Sequence, residues 1–148
     1  MSDLGTLQPE KINIVDFKIL NGSLSNPFGF KAELLEGHQF DVNFDMGFNI
    51  EDKLVKADFE VSVFTKSKEE QEEVSGKFHF VFVFWVENLD QLVIDDKEKK
   101  SLTINGSLGN ALASISYSTS RGILMSRFQG TPLKDFILPV IDPNQLLK

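Results

Sequence analysis

The sequence predicts an α+β domain: four antiparallel strands, then one long helix and a short tail. Three observations carry this. Four segments between residues 12 and about 94 alternate apolar and polar side chains with period two, the mark of strands with one buried face. Between residues 107 and 128 the apolar positions change to the 3.6-residue spacing of a helix. The chain has 148 residues, and a domain runs to roughly 100–200. It therefore reads as a single domain 1–148, with the sheet over about 12–94, the helix over about 107–128 and the tail over 129–148.

The strands justify themselves in order. In Ile12 to Leu20, Val15, Phe17 and Ile19 share a face opposite Asp16 and Lys18. In the second, Phe40, Val42, Phe44, Met46, Phe48 and Ile50 alternate with Asp41, Asn43, Asp45, Gly47 and Asn49. Leu54 to Phe64 sets Phe59, Val61 and Val63 against Asp58, Glu60 and Ser62. Lys77 to Val86 carries Phe78, Phe80, Phe82, Phe84 and Val86 on one face and His79, Val81, Val83 and Trp85 on the other. Apolar character on both faces marks a central strand, or one at a subunit contact.

The connections differ in kind. Glu51-Asp52-Lys53 is a short hairpin turn, and Lys66 to Glu73 is a solvated loop between antiparallel neighbours. Asn21 to Gln39 contains Asn21-Gly22, Asn26-Pro27 and Gly29 and reads as a crossover loop, one unusually rich in Leu24, Phe28, Phe30, Leu34 and Leu35. Asp95 to Lys100 is a polar bridge into the helix. In that helix Leu108, Leu112, Ile115, Ile123 and Leu124 are interleaved with Ala111, Ala113, Ser114, Ser116, Ser118, Ser120 and Gly122. Small side chains admit a close backbone neighbour. The helix therefore either lies on its own sheet or forms a subunit contact through Ala111, Ile115, Ser118 and Gly122. Gly130-Thr131-Pro132 ends it, and the apolar Phe136 to Ile141 precedes a turn at Asp142-Pro143.

Composition excludes several functions. With no Cys there is no disulfide scaffold, no Cys-ligated zinc and no Cys nucleophile. A net charge of −7 is the wrong sign for general binding to nucleic acid or anionic membranes. The first residues lack a basic and apolar leader, and the longest apolar run, Phe80 to Val86, is far too short to span a bilayer. The expectation is a cytoplasmic protein with no cofactor. Asp41-x-Asn43-x-Asp45 resembles the start of a calcium loop, but Met46 stands where glycine is required. His38 and His79 have no metal-ligand spacing, Gly106-Ser107-Leu108-Gly109 lacks the lysine of a phosphate loop, and no serine sits in a nucleophile elbow. Nothing nominates a catalytic residue.

Two features remain. The chain has 14 Phe against one Trp and one Tyr, ring area that suits a core or an apolar groove. Asp16, Asp41, Asp45, Asp58 and Glu60 all fall on the non-core side of three strands. They form either an ordinary solvated face or an acidic plate for a basic partner.

The C-terminal part resembles the SecB family of protein-export chaperones. The likeness rests on Ala113-Ser114-Ile115-Ser116-Tyr117-Ser118-Thr119-Ser120-Arg121-Gly122, then Gly130-Thr131-Pro132, Leu138-Pro139-Val140 and the closing Asp142 to Leu147, within about 111–147. The resemblance implies a SecB-like sheet with the helix packed on one face, a dimer of dimers, and apolar grooves that hold unfolded polypeptide. By position those grooves take Leu24, Phe28, Phe30, Phe40, Val42, Phe44, Phe128, Leu133 and Phe136. It implies that the exposed sheet face docks the SecA motor. Export members carry a further C-terminal helix and tail, whereas this sequence stops at Lys148. That departure points to a dedicated, antitoxin-type chaperone as the alternative. A carrier of a lipid or other small apolar ligand is the rival from another class.

Overall fold

Backbone pairing joins β1 (Ile12–Ser25), β2 (Leu35–Asn49), β3 (Leu54–Ser67) and β4 (Ser75–Val86) into one antiparallel sheet of order β1-β4-β3-β2. The structure is a computed structural model and describes residues 5–147. After β4 come a single turn α1 (Leu89–Leu92), a hairpin of β5 (Val93–Asp96) and β6 (Ser101–Ile104), and the helix α2 (Gly106–Arg127). None of its helices is long and apolar enough to cross a membrane, among the described residues.

Residues directly opposite one another share a face, so register assigns the core. Four apolar rows cross all four strands: Phe48–Val55–Phe84–Ile14, Met46–Ala57–Phe82–Phe17, Phe44–Phe59–Phe80–Ile19 and Phe40–Val63–Gly76–Leu24. Val55, Ala57, Phe59, Val63, Phe80 and Phe84 are wholly inaccessible. As an interior strand, β4 can be apolar on both faces; Val81 on its reverse side is also buried.

In β1 the structure corrects the reading of the sequence. Register shifts between Ile14 and Asp16 and between Ile19 and Asn21 insert one extra residue each, Val15 and Leu20. A bulge reverses the alternation that follows it. Ile12 and Ile14, then Phe17 and Ile19, then Gly22 and Leu24 thus all oppose core residues of β4, although their sequence phase changes twice. Val15 leaves the face expected for it and is about half exposed, as is Leu20. The strand also runs on to Ser25, because Gly22 and Leu24 still pair with Phe78 and Gly76; the crossover shrinks to 26–34. Its backbone ties to the loop after β3, with Lys31 N donating to Gln71 Oε1 at 2.9 Å and Lys68 N to the Leu34 carbonyl at 2.8 Å.

The bridge at Asp95 to Lys100 is the tip of the β5–β6 hairpin, closed by Lys100 in the left-handed region at φ 51°. Strands of four residues are too short to display an alternation. Asn105 caps α2, its Oδ1 accepting from Leu108 N at 3.0 Å. The helix lies over β3, Tyr117 meeting Phe59 edge-on at 5.8 Å between ring centroids. Gly109, Ala113, Ser116 and Ser120 face that contact and are buried. Much of the small-residue content therefore serves the chain's own helix-on-sheet packing. The opposite stripe runs through Ala111, Ile115, Ser118 and Gly122, of which Ser118 and Gly122 are exposed and Ile115 packs partly against the core.

Candidate functional site

The row at the crossover end of the sheet organises the proposed groove residues. Phe40 and Leu24 stand at its two edges, about 14 Å apart at the usual strand spacing, with Val63 and Gly76 between them. Phe128, the residue closing α2, lies above Gly76: a methyl group there would meet its ring at 2.7 Å. Its ring also packs edge-on against Phe78 at 6.0 Å. The chain then doubles back over β2. His38 Nε2 donates to the Pro132 carbonyl at 3.4 Å, and Phe136 packs against Phe40 at 5.5 Å. The sequence thus brings Leu24, Phe40, Phe128 and Phe136 to one end of one face, with Val42 and Phe44 one and two rows further along β2.

Accessibility divides this set. Phe128 and Leu133 are wholly buried and Phe136 nearly so. They anchor the connection after the helix and offer no surface to a ligand in this conformation, a departure from the groove-lining role expected of them. Val42, Phe44 and Phe30 are half-buried, and Leu24 and Phe40 are exposed. Phe28 is fully exposed, standing on the turn in which Phe30 N donates to the Pro27 carbonyl.

The tail lies along α2 much as an extended ligand would. Phe136 and Leu138 point inward while Ile137, Pro139 and Val140 point out. Tyr117 OH donates to the Pro139 carbonyl. Burial pushes the Tyr117 hydroxyl above its ordinary 10.0, and the positive charge of Arg121 pulls it partway back. Two hollows flank this strap. One, of about 220 Å³, lies against α2 at Ser114, Tyr117, Ser118 and Arg121, with Val140 and Leu146 opposite. The other, of about 280 Å³, lies against β2 at Phe44, Met46 and Phe48 and shares Leu146. No signal in the sequence separated Tyr117 and Arg121 from the small residues around them.

The reverse face of the sheet carries Asp16, Asp41, Asp45, Asp58 and Glu60 together, as alternation predicts. It is not uniformly acidic. His79 Nε2 donates to Asp58 Oδ1 at 2.8 Å, Lys56 Nζ stands 3.9 Å from Asp58 Oδ2, and Lys18 and Lys77 share the face. Asp58 is therefore engaged, whereas Asp16, Asp41, Asp45 and Glu60 are exposed. No group of three or more His, Asp or Glu that could hold a metal occurs among the described residues.

Ala111, Ile115, Ser118 and Gly122 fall on one stripe of α2, of which Ile115 packs partly against the core. The first two are half-buried and the last two exposed.

No family model matches the sequence, and no curated protein matches it. The fold does have relatives. A SecB-like chaperone of Mycobacterium tuberculosis, solved in complex with a peptide from an antitoxin, superposes with a TM-score of 0.55 at 14% identity. The alignment covers 89% of this chain and 91% of that one. The fold is SecB-like: α+β, with a four-stranded antiparallel sheet.

Proposed function

We propose that this protein is a molecular chaperone that holds unfolded polypeptide on the apolar surface at the crossover end of its sheet. The observation carrying the reading is Phe28, fully in water on a short turn, near a row that ends in the exposed Phe40 and Leu24. One exposed ring alone would be ordinary; it is the grouping of Phe28, Leu24 and Phe40 at one end of the sheet that supports an interaction surface. The Phe side chains of β3 and β4 on the core face are buried in one cluster with the residues of α2 and the tail, which favours a surface holdase over a carrier.

Such a surface holds a client by apolar area, roughly 25 cal/mol per Å² covered, and needs neither a fixed sequence nor ATP. Ordering an unfolded client opposes each contact, so several copies acting together raise the affinity. A dimer of dimers joined through Ala111, Ile115, Ser118 and Gly122 supplies that multiplicity. Asp16, Asp41, Asp45 and Glu60 on the reverse face remain open to a basic partner, such as a SecA-type motor of export in the cytoplasm. A dedicated client is the second reading, favoured by the antitoxin peptide bound to the mycobacterial neighbour.

The test is titration calorimetry of one model protein, unfolded and folded, without nucleotide. Binding of the unfolded form alone, weakened on the order of tenfold by Phe28→Asp with Phe44→Asp, is the expected result. Undiminished affinity in a folded double variant removes this surface from the reading. No binding to either form removes the general holdase and leaves the dedicated client or the carrier of a small apolar ligand.

A further inference from the structure

We infer that the hollow between α2 and the tail is a carboxylate site, which takes an Asp or Glu side chain of an extended polypeptide seated with its apolar neighbours on β2. The inference rests on the chaperone reading and names a chemical class of client that the Phe surface alone would not select.

Helix geometry sets the stage. The buried stripe of α2 runs through Gly109, Ala113, Ser116 and Ser120, and the opposite stripe through Ala111, Ile115, Ser118 and Gly122. Ser114, Tyr117 and Arg121 fall on the flank between them, turned toward the tail, with Ser118 on its border. This flank lines the hollow of about 220 Å³ whose far wall includes Val140 and Leu146. The Ser114 and Ser118 hydroxyls and the Arg121 guanidinium therefore line, with Tyr117, a space walled by apolar carbons, the composition of a ligand pocket. Among the described residues no carboxylate lies within ion-pair distance of Arg121. Arg121 lies close enough to Tyr117 for its charge to bear on the phenol, and both side chains line the hollow. A carboxylate accepting from the Arg121 guanidinium and a serine hydroxyl makes charge-assisted hydrogen bonds, strengthened by the apolar wall; the Tyr117 hydroxyl is committed to the Pro139 carbonyl. Leu146 lines this hollow and also the one beside Phe44, Met46 and Phe48. An extended chain lying across Leu146 thus places apolar side chains on β2 and an adjacent one at Arg121.

The sign of the effect makes the test decisive. A chain of net charge −7 repels acidic peptides. Without a local site, a peptide bearing Glu binds more weakly than the same peptide bearing Gln. With the site, the order reverses. The experiment measures fluorescence anisotropy at low salt for two apolar peptides, acetylated and amidated, that differ only in one central Glu or Gln. The full chain should hold the Glu peptide about fivefold tighter. Arg121→Gln should remove that preference, and Arg121→Lys should keep part of it. Both variants should melt within a few degrees of the parent, since Arg121 is only partly buried and has no ion-pair partner among the described residues. Equal binding of the two peptides, or tighter binding of Gln, overturns the site while leaving the chaperone reading in place. Persistence of the Glu preference in a folded Arg121→Gln variant overturns it too. If a free-acid Gln peptide equals the amidated Glu peptide, the site reads chain ends and the inference falls. Binding of neither peptide removes the site and the chaperone reading together.

Discussion

The two edges of this sheet are built from similar residues and finished differently. On the core face of β2, Val42, Phe44, Met46 and Phe48 are half-buried, with Leu146 beside Phe44, and Phe40 at the crossover end stays exposed although Phe136 packs on it. On the same face of β1, Ile14, Phe17 and Leu24 are no less apolar, yet all three remain exposed. Helix α2 covers β3 and the tail covers β2, which leaves β1 without a lid. The difference teaches that alternation specifies a buried face without specifying what buries it. One edge is completed in sequence; the other leaves apolar area for a second chain or for a client.

The comparison can be broken most severely at the anchor of the covered side. Phe128→Ala removes a wholly buried ring that seats the return of the chain, and should cost about 3–5 kcal/mol in urea denaturation. A cost below about 1 kcal/mol would show that the tail is not part of the core. Next comes the outer stripe of the helix: Ser118→Trp should split the assembly, seen as a lower native mass. An unchanged mass would place the subunit contact elsewhere. Gly76→Ala pushes a methyl into the Phe128 ring and should cost about 1–3 kcal/mol.

Smaller effects sharpen the contrast. Tyr117→Phe removes the hydrogen bond to the Pro139 carbonyl and should cost about 1 kcal/mol. It should also change the alkaline limb of stability. Burial raises the folded phenol above 10.0, so the folded state holds its proton longer than the unfolded one. The resulting stabilisation is complete below that value and is lost as pH climbs through the folded pKa. The Phe variant should lack that decline; an identical alkaline limb would show that Tyr117 is not its source. On the open side, Ile14→Thr should cost less than about 1 kcal/mol in the isolated chain, half its side chain being already in water. A much larger loss would mean that another chain covers β1.

These contrasts also mark how far the sequence could be read. The alternation of Phe40 to Ile50 and of Phe78 to Val86 identified strands and their faces because period two survives any tertiary arrangement. The helix bounds were legible to within a residue, from the 3.6-residue spacing and the Gly130 stop. The two bulges of β1 were not legible, because a bulge becomes visible only against the partner strand that skips it. Nor was the burial of Phe128 and Leu133, since an apolar residue in a loop reads the same whether it seals the core or faces a groove. Pairing of Asp58 with His79 likewise depends on register, 21 positions apart in the chain. The five carboxylates, Lys18 and His79 were placed on the non-core face by alternation, but that His79 and Lys56 both stand beside Asp58 became apparent only in the structure.

The order β1-β4-β3-β2 carries a consequence for biosynthesis. β1 has β4 as its sole partner in the sheet, so Ile12 cannot pair until Val86 has been made. At roughly 5–20 residues per second, the first strand waits several seconds outside the ribosome with Ile14, Phe17 and Leu24 unshielded. The β2–β3 hairpin can close meanwhile, but β1 docks last, over the longest chain separation in the sheet, as a slow step. During that interval three apolar side chains of the first strand lie open to whatever meets the nascent chain.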